Sequence, residues 1–139
     1  LKNPFVGMYH DRLAGVSKRL PILIEDISKV QQQCLSLDDD LRWLVALVSD
    51  TGMRLAEVVG LLTSDIILDE GIPFIRLQPH SWRNLKTSGS ERDVPLVGVS
   101  LWAAQRLLNA YPDSVYAFPR YNKTTTTNAN SASKLTTPL

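Results

Sequence analysis

The chain predicts a mainly α domain that carries one small antiparallel sheet, and three observations point there. Apolar residues repeat at helical spacing from Ile22 to Leu62 and again from Val99 to Ala110, while the intervening stretch alternates with a period of two. Neither a glycine-rich phosphate loop nor the strand–helix alternation of a doubly wound fold is present. With 139 residues, 44% of them hydrophobic, the sequence suits one domain with a real core and little room for a second.

Residues 1–21 read as a linker. Asn3-Pro4 and Gly7 break structure early, and Lys18-Arg19 runs into Pro21 without sustained periodicity. A chain that opens on such a linker, at Leu1, suggests a domain upstream. A first helix is expected from Ile22 to Leu35, with Ile24, Ile27 and Val30 facing inward and Glu25 and Asp26 near its positive end. Ser36-Leu37-Asp38-Asp39 fits a capping box opening a second helix, on which Leu41, Leu44, Val45 and Val48 repeat correctly. The three adjacent aspartates, 38 to 40, are helix-start chemistry. As a metal site they fail, because neighbouring carboxylates point in different directions and no histidine lies near.

After a Thr51-Gly52 break comes the most informative stretch, in which Arg54 opens an otherwise apolar helical segment and Glu57 follows one turn later. At that spacing the two share a helix face and can pair, while Leu55, Val58, Val59 and Leu62 form the inward stripe. The pair admits a plain reading as a surface ion pair of little energetic weight. It also admits a functional one: a planar guanidinium at a helix start, beside free main-chain amides, can grip two oxygens of a phosphate.

Beyond Leu62 the pattern turns to short strands. Asp65–Leu68 and Phe74–Leu77 are separated by the turn Asp69-Glu70-Gly71, and Trp82–Lys86 and Glu91–Leu96 flank Thr87-Ser88-Gly89-Ser90 as a β-hairpin. Lys86 would stand at its tip, either as an ordinary solvated lysine or as a proton donor able to reach the same phosphate. Pro95 cannot donate a ladder bond, so its strand should lie at an edge or end there. A further helix follows from about Val99 to Ala110, with Leu101, Trp102, Gln105 and Leu108 on related faces, and Tyr111-Pro112-Asp113 stops it. From Asn122 the chain is rich in Thr, Asn and Ser, and residues 122–139 read as a polar tail, loose or locally helical from Ala129.

Charge and cysteine content narrow the setting. A formal net charge of +1 favours no polyanionic partner in bulk, but Arg76, Arg83, Lys86 and Arg92 face only Glu91 within their stretch, with His80 in addition. The single cysteine, Cys34, cannot form an internal disulfide and suits a reducing, cytoplasmic compartment. No apolar run is long enough for a membrane helix.

Taken together, Thr51-Gly52-Met53-Arg54-x-x-Glu57-x-x-Gly60-Leu61, the entry Asp65-Ile66, then Leu85-Lys86-Thr87 and Arg92-Asp93-Val94-Pro95-Leu96 resemble the catalytic domain of the tyrosine recombinases, the phage integrase family. Asn3-Pro4-Phe5 ahead of these motifs and Phe118-Pro119 behind them fit the same pattern, and the resemblance runs from about residue 22 to 119. It implies the DNA breaking-and-rejoining fold, with a three-stranded sheet, and double-stranded DNA as partner. It makes Arg54 the first catalytic arginine, Lys86 the lysine that protonates the departing 5′ oxygen, and Glu57 a supporting residue. It also places Arg83, Thr87, Ser88 and Arg92 at the DNA. Such enzymes work as DNA-bound homotetramers through a 3′-phosphotyrosyl link, without metal, ATP or other cofactor. The family's His-x-x-Arg box and nucleophilic tyrosine belong downstream of the motifs found here. Tyr9, Tyr111, Tyr116 and Tyr121, like His10 and His80, stand too early to supply them. Residues 22–121 are therefore expected to be the first part of a catalytic domain, inactive alone, with a non-enzymatic DNA-binding or regulatory module on the same scaffold as the alternative.

Overall fold

In the computed structural model, Gly7, Gly15, residues 18–123 and residues 126–136 are described, so most of the expected linker, including Tyr9 and His10, lies outside the described residues. Helices α1 (Ile24–Leu37) and α2 (Asp40–Thr51) are followed by the short α3 (Leu55–Val59). Strands β1 (Ile66–Ile67), β2 (Phe74–Leu77) and β3 (Arg92–Pro95) come next, then α4 (Gly98–Ala110). The chain ends in a two-stranded ribbon, β4 (Asn122–Lys123) and β5 (Thr126–Thr127), and α5 (Ala129–Thr136). Among the described residues no helix is long and apolar enough to cross a membrane.

Helix α2 is the centre of the fold, packed against α4, α1, α3 and α5. Its Leu44, Ala46 and Leu47 are fully buried, as are Ser100, Ala103, Ala104 and Leu107 of α4. Leu101, Trp102 and Leu108, expected on related faces, are partly buried and pack against the same core around these four positions. The join is polar at one end. Asp50, near the end of α2, accepts hydrogen bonds from the main-chain N–H groups of Val99 (2.9 Å) and Ser100 (3.2 Å), placing a carboxylate at the positive end of α4. Gln31 of α1 donates to the same carboxylate at 2.8 Å.

Three local expectations are corrected. The capping residue of α2 is Asp39, whose carboxylate accepts the Arg42 N–H at 2.9 Å, and Ser36 lies inside α1. Asp38 takes the left-handed conformation between the two helices (φ 48°), held there by its bond from the Trp43 indole at 2.8 Å. Ile24, expected to face inward, is 76% exposed. The contact from Gln31 to Ser49 and Asp50 already reaches the end of α2, so the first turn of α1 overhangs its partner.

The third correction concerns the sheet. Its order is β1-β2-β3, fully antiparallel, with Ile75 opposite Val94 and Leu77 opposite Arg92. The partner of β3 is therefore β2, and Trp82–Lys86 is not a strand but part of the long connection 78–91. Ile75, Leu77 and Val94 turn inward by strand alternation, while Arg76 and Asp93 pair outside at 3.6 Å. β3 is an edge strand ending at Pro95, where the missing N–H costs nothing. In the polar C-terminal stretch, Asn122 is buried and donates to the carbonyls of Val59 (2.7 Å) and Phe118 (2.8 Å), and α5 sets Ala132 into the core.

Candidate functional site

The site begins where α2 stops. Gly52 adopts the left-handed conformation (φ 65°) and its N–H caps the Val48 carbonyl, which reverses the chain before Arg54. Arg54 itself is the extended residue preceding α3, and its main-chain N–H donates to Glu57 Oε2 at 2.8 Å. The amide at this helix mouth is therefore already taken. The helix that follows is only 5 residues long, so the guanidinium is the cationic feature of this helix mouth.

Glu57 is buried, its side chain 4% exposed, and it holds two cations that remain in contact with solvent. Arg54 Nη1 lies 3.2 Å from Oε1 with 52% of its side chain exposed, and Arg92 Nη2 lies 3.4 Å from Oε2 with 39% exposed. A buried carboxylate needs such partners, since its desolvation is offset only by hydrogen bonds and opposite charge. Ser90 closes the ring from the far side. Its hydroxyl accepts from Arg54 Nη1 at 3.1 Å, and its carbonyl accepts from Arg92 Nη1 at 2.7 Å. Thr87 Oγ1 shares a hydrogen bond with the same hydroxyl at 2.8 Å.

The two arginines use their forks differently. Among the described residues the Arg54 side chain donates to Glu57 and Ser90 from Nη1, and Nε and Nη2 form another edge of its fork. Arg92 donates to the protein from both terminal nitrogens, one bond from each. The half-exposed fork of Arg54 is of the kind that fits two phosphate oxygens.

Connection 78–91 is held by a second set of polar bonds. Asp65, buried at the end of a short 3-10 turn, accepts from the Leu62 N–H (3.0 Å), Gln78 Nε2 (3.0 Å) and His80 Nε2 (2.8 Å). The His80 ring stacks on Trp82 at 4.6 Å between centroids, and the Trp82 indole donates to the Gly60 carbonyl at 3.1 Å. Arg83, placed among the DNA contacts from sequence, is instead 5% exposed and donates to the main-chain carbonyls of Glu57 (2.6 Å) and Gln78. Burial lowers its pKa, and the neighbouring Asp65 and Glu57 carboxylates pull it back up. The stem of Arg83 crosses Gly60 so closely that a Cβ there would stand 2.5 Å from its Cδ, which explains a glycine at this point of the motif.

Lys86 follows on an exposed stretch, next to Thr87, and a cavity of about 260 Å³ lined by Pro79, Asn84, Leu85, Thr87 and Glu91 opens beside it. The side chain of Ser88 lies outside the described residues. The structure thus joins Arg54, Glu57, Thr87, Ser90 and Arg92 in one network and sends Arg83 into the interior.

No protein-family model and no curated protein matches the chain. Among solved structures it is similar to XerA recombinase, with a TM-score of 0.59 and 21% identity, over 98% of this chain and 45% of that one. The chain therefore shares its fold with part of that recombinase. The chain spans somewhat less than half the length of that recombinase.

Within this fold the aspartates 38 to 40 lie apart from the Glu57 network. Asp38 bonds Trp43 and Arg106, Asp39 bonds Arg42, and Asp40 faces Arg120 at 4.0 Å, so the three adjacent carboxylates each serve different partners. Among the described residues no group of three or more His, Cys, Asp or Glu side chains could hold a metal ion. What sequence reasoning missed is the set Asp65, His80, Trp82 and Ser90. The available signal was the Pro79-His80-Ser81-Trp82 run, whose aromatics interrupt strand alternation.

Proposed function

We propose that this chain supplies the Arg54 and Lys86 part of a DNA strand-transfer site of the tyrosine recombinase kind. One observation carries the reading: a half-exposed guanidinium is locked by a buried glutamate through Nη1, and the loop bearing the lysine is bonded to that same guanidinium through Ser90. Arg54 binds the non-bridging oxygens of the scissile phosphate and stabilises the negative charge that builds up in the five-coordinate transition state. Lys86, a short span away, donates the proton that the departing 5′ oxygen needs.

The attacking group is a tyrosine outside these 139 residues, and so is the second arginine. Tyr121 is buried in the core and Tyr111 packs against it, and neither is among the side chains bonded to Arg54. The partner is duplex DNA, the assembled enzyme acts as a homotetramer on it, and the reaction requires no cofactor.

The test has two parts. Duplex binding by the chain, followed by fluorescence anisotropy, should weaken steeply as salt rises, and Arg54→Ala should lower the slope of log K against log salt by about 0.9, the release of one counterion. Affinity that does not move with salt overturns the reading. On a nicked suicide substrate the chain alone should give no covalent band on a denaturing gel. A band would place the nucleophile inside these residues and overturn that assignment.

A further inference from the structure

Glu57 has a second role that its carboxylate alone does not reveal. Its main-chain carbonyl accepts from Arg83, ahead of Lys86, while its carboxylate faces Arg92, behind Lys86. Ser90, which bonds both Arg54 and Arg92, fixes the same end. Lys86 therefore hangs on a span, residues 84–89, whose two ends are tied to one residue, and that residue also holds Arg54. At roughly 3.5 Å per extended residue, the Lys86 Cα lies within about 11 Å of the Arg83 Cα and about 14 Å of the Ser90 Cα. That is a tethered bridge rather than the tip of a free hairpin.

We propose that Arg83 and Arg92 are positioning residues that hold Lys86 in register with Arg54 through Glu57, and that neither is a phosphate ligand. The chemistry of the two side chains supports this. Arg83 is buried and donates from both terminal nitrogens to carbonyls, and Arg92, 39% exposed, donates from both of its own to Ser90 and Glu57, so the protein sets the orientation of each fork. A lysine could not replace either, because a single ammonium cannot span two acceptors set by a planar fork. The tether stands on the protein's own contacts, whereas its consequence for DNA rests on the reading given under Proposed function, and the two are tested separately.

The first arm needs no DNA. Amide hydrogen exchange followed by mass spectrometry should show residues 84–90 exchanging at least tenfold faster in Arg92→Ala, with α2 and α4 unchanged. Arg83→Lys should do the same from the other end. If both variants fold and both leave exchange in 84–90 as it was, the tether is overturned.

The second arm compares Arg92→Ala with Arg92→Lys in duplex binding across salt. A positioning residue predicts that lysine fails to rescue: both variants lose the same factor of affinity, and adding Lys86→Ala costs little more in either. A direct phosphate contact predicts instead that Arg92→Lys keeps both the affinity and the salt slope, and that result overturns the proposal for Arg92. Should the unaltered chain bind no DNA at all, the recombinase reading falls while the exchange arm still decides the tether.

Discussion

The α2–α4 interface and the connection 78–91 are held in opposite ways. The first is an apolar seam in which Leu44, Leu47, Ala103, Ala104 and Leu107 are completely buried. The second is an irregular segment tied down by directional bonds to two buried carboxylates, Asp65 and Glu57. Apolar burial is insensitive to direction and makes a rigid platform, whereas hydrogen bonds fix orientation. Placing the polar ties around Arg54 puts orientation control where a phosphate would have to be aligned. The platform keeps those ties at a constant distance from each other.

This contrast is sharpest at the seam. Leu47→Ala should cost about 2–5 kcal/mol, the usual loss for a leucine removed from a packed core, with a corresponding fall in melting temperature by calorimetry. A loss well under 1 kcal/mol would mean that α4 can close over the space and that the seam is not rigid. The connection should respond less. Gly60→Ala drives a methyl group against the Arg83 stem, and since that stem is held at both ends it cannot swing away like a free side chain. Overpacking of this kind costs about 1–3 kcal/mol, and the damage should be local, with exchange accelerating in residues 78–91 before it does in α2. Uniform acceleration across the molecule would erase the distinction between the two regions.

The same distinction explains what could be read from the residues. Helices α1, α2 and α4 announce themselves because an apolar repeat encodes burial within a dozen neighbouring positions, and Arg54 with Glu57 was legible because the two are one helical turn apart. Arg83 was not. Its acceptor on Glu57 is 26 positions away, and nothing near Arg83 says that a basic residue in a basic stretch will go inside. The misplaced hairpin has the same origin. Trp82–Lys86 has the composition of a strand, but the indole and guanidinium are used up by Gly60, Gln78 and Glu57, all outside that segment. Where a backbone is ordered by side chains reaching distant carbonyls, local pattern has little to report. That Glu57 can pair with Arg54 was legible from their spacing, yet its link to the far side of Lys86 depends on the β2–β3 register.

The smallest effect belongs to titration of the seam's neighbours at alkaline pH. Burial raises the pKa of the Cys34 thiol and of the Tyr111 and Tyr121 phenols above their ordinary values. Below the ordinary thiol value all three groups are protonated in both folded and unfolded chains, so they leave stability unchanged. Above it the unfolded chain releases protons that the folded chain retains, and stability falls as pH rises toward the folded-state values. Chemical denaturation measured from pH 7 to pH 10.5 should therefore show a flat region followed by a decline, and Cys34→Ala should remove the earlier part of that decline while leaving the tyrosine part. Among the described residues the Glu57 network is made by Arg54, Arg83, Ser90 and Arg92 and not by these groups, so exchange in residues 84–90 relative to α2 should hold constant until global unfolding intervenes. A loop that loosened first as pH rose would show that the polar ties, and not the apolar platform, feel the buried phenols and thiol.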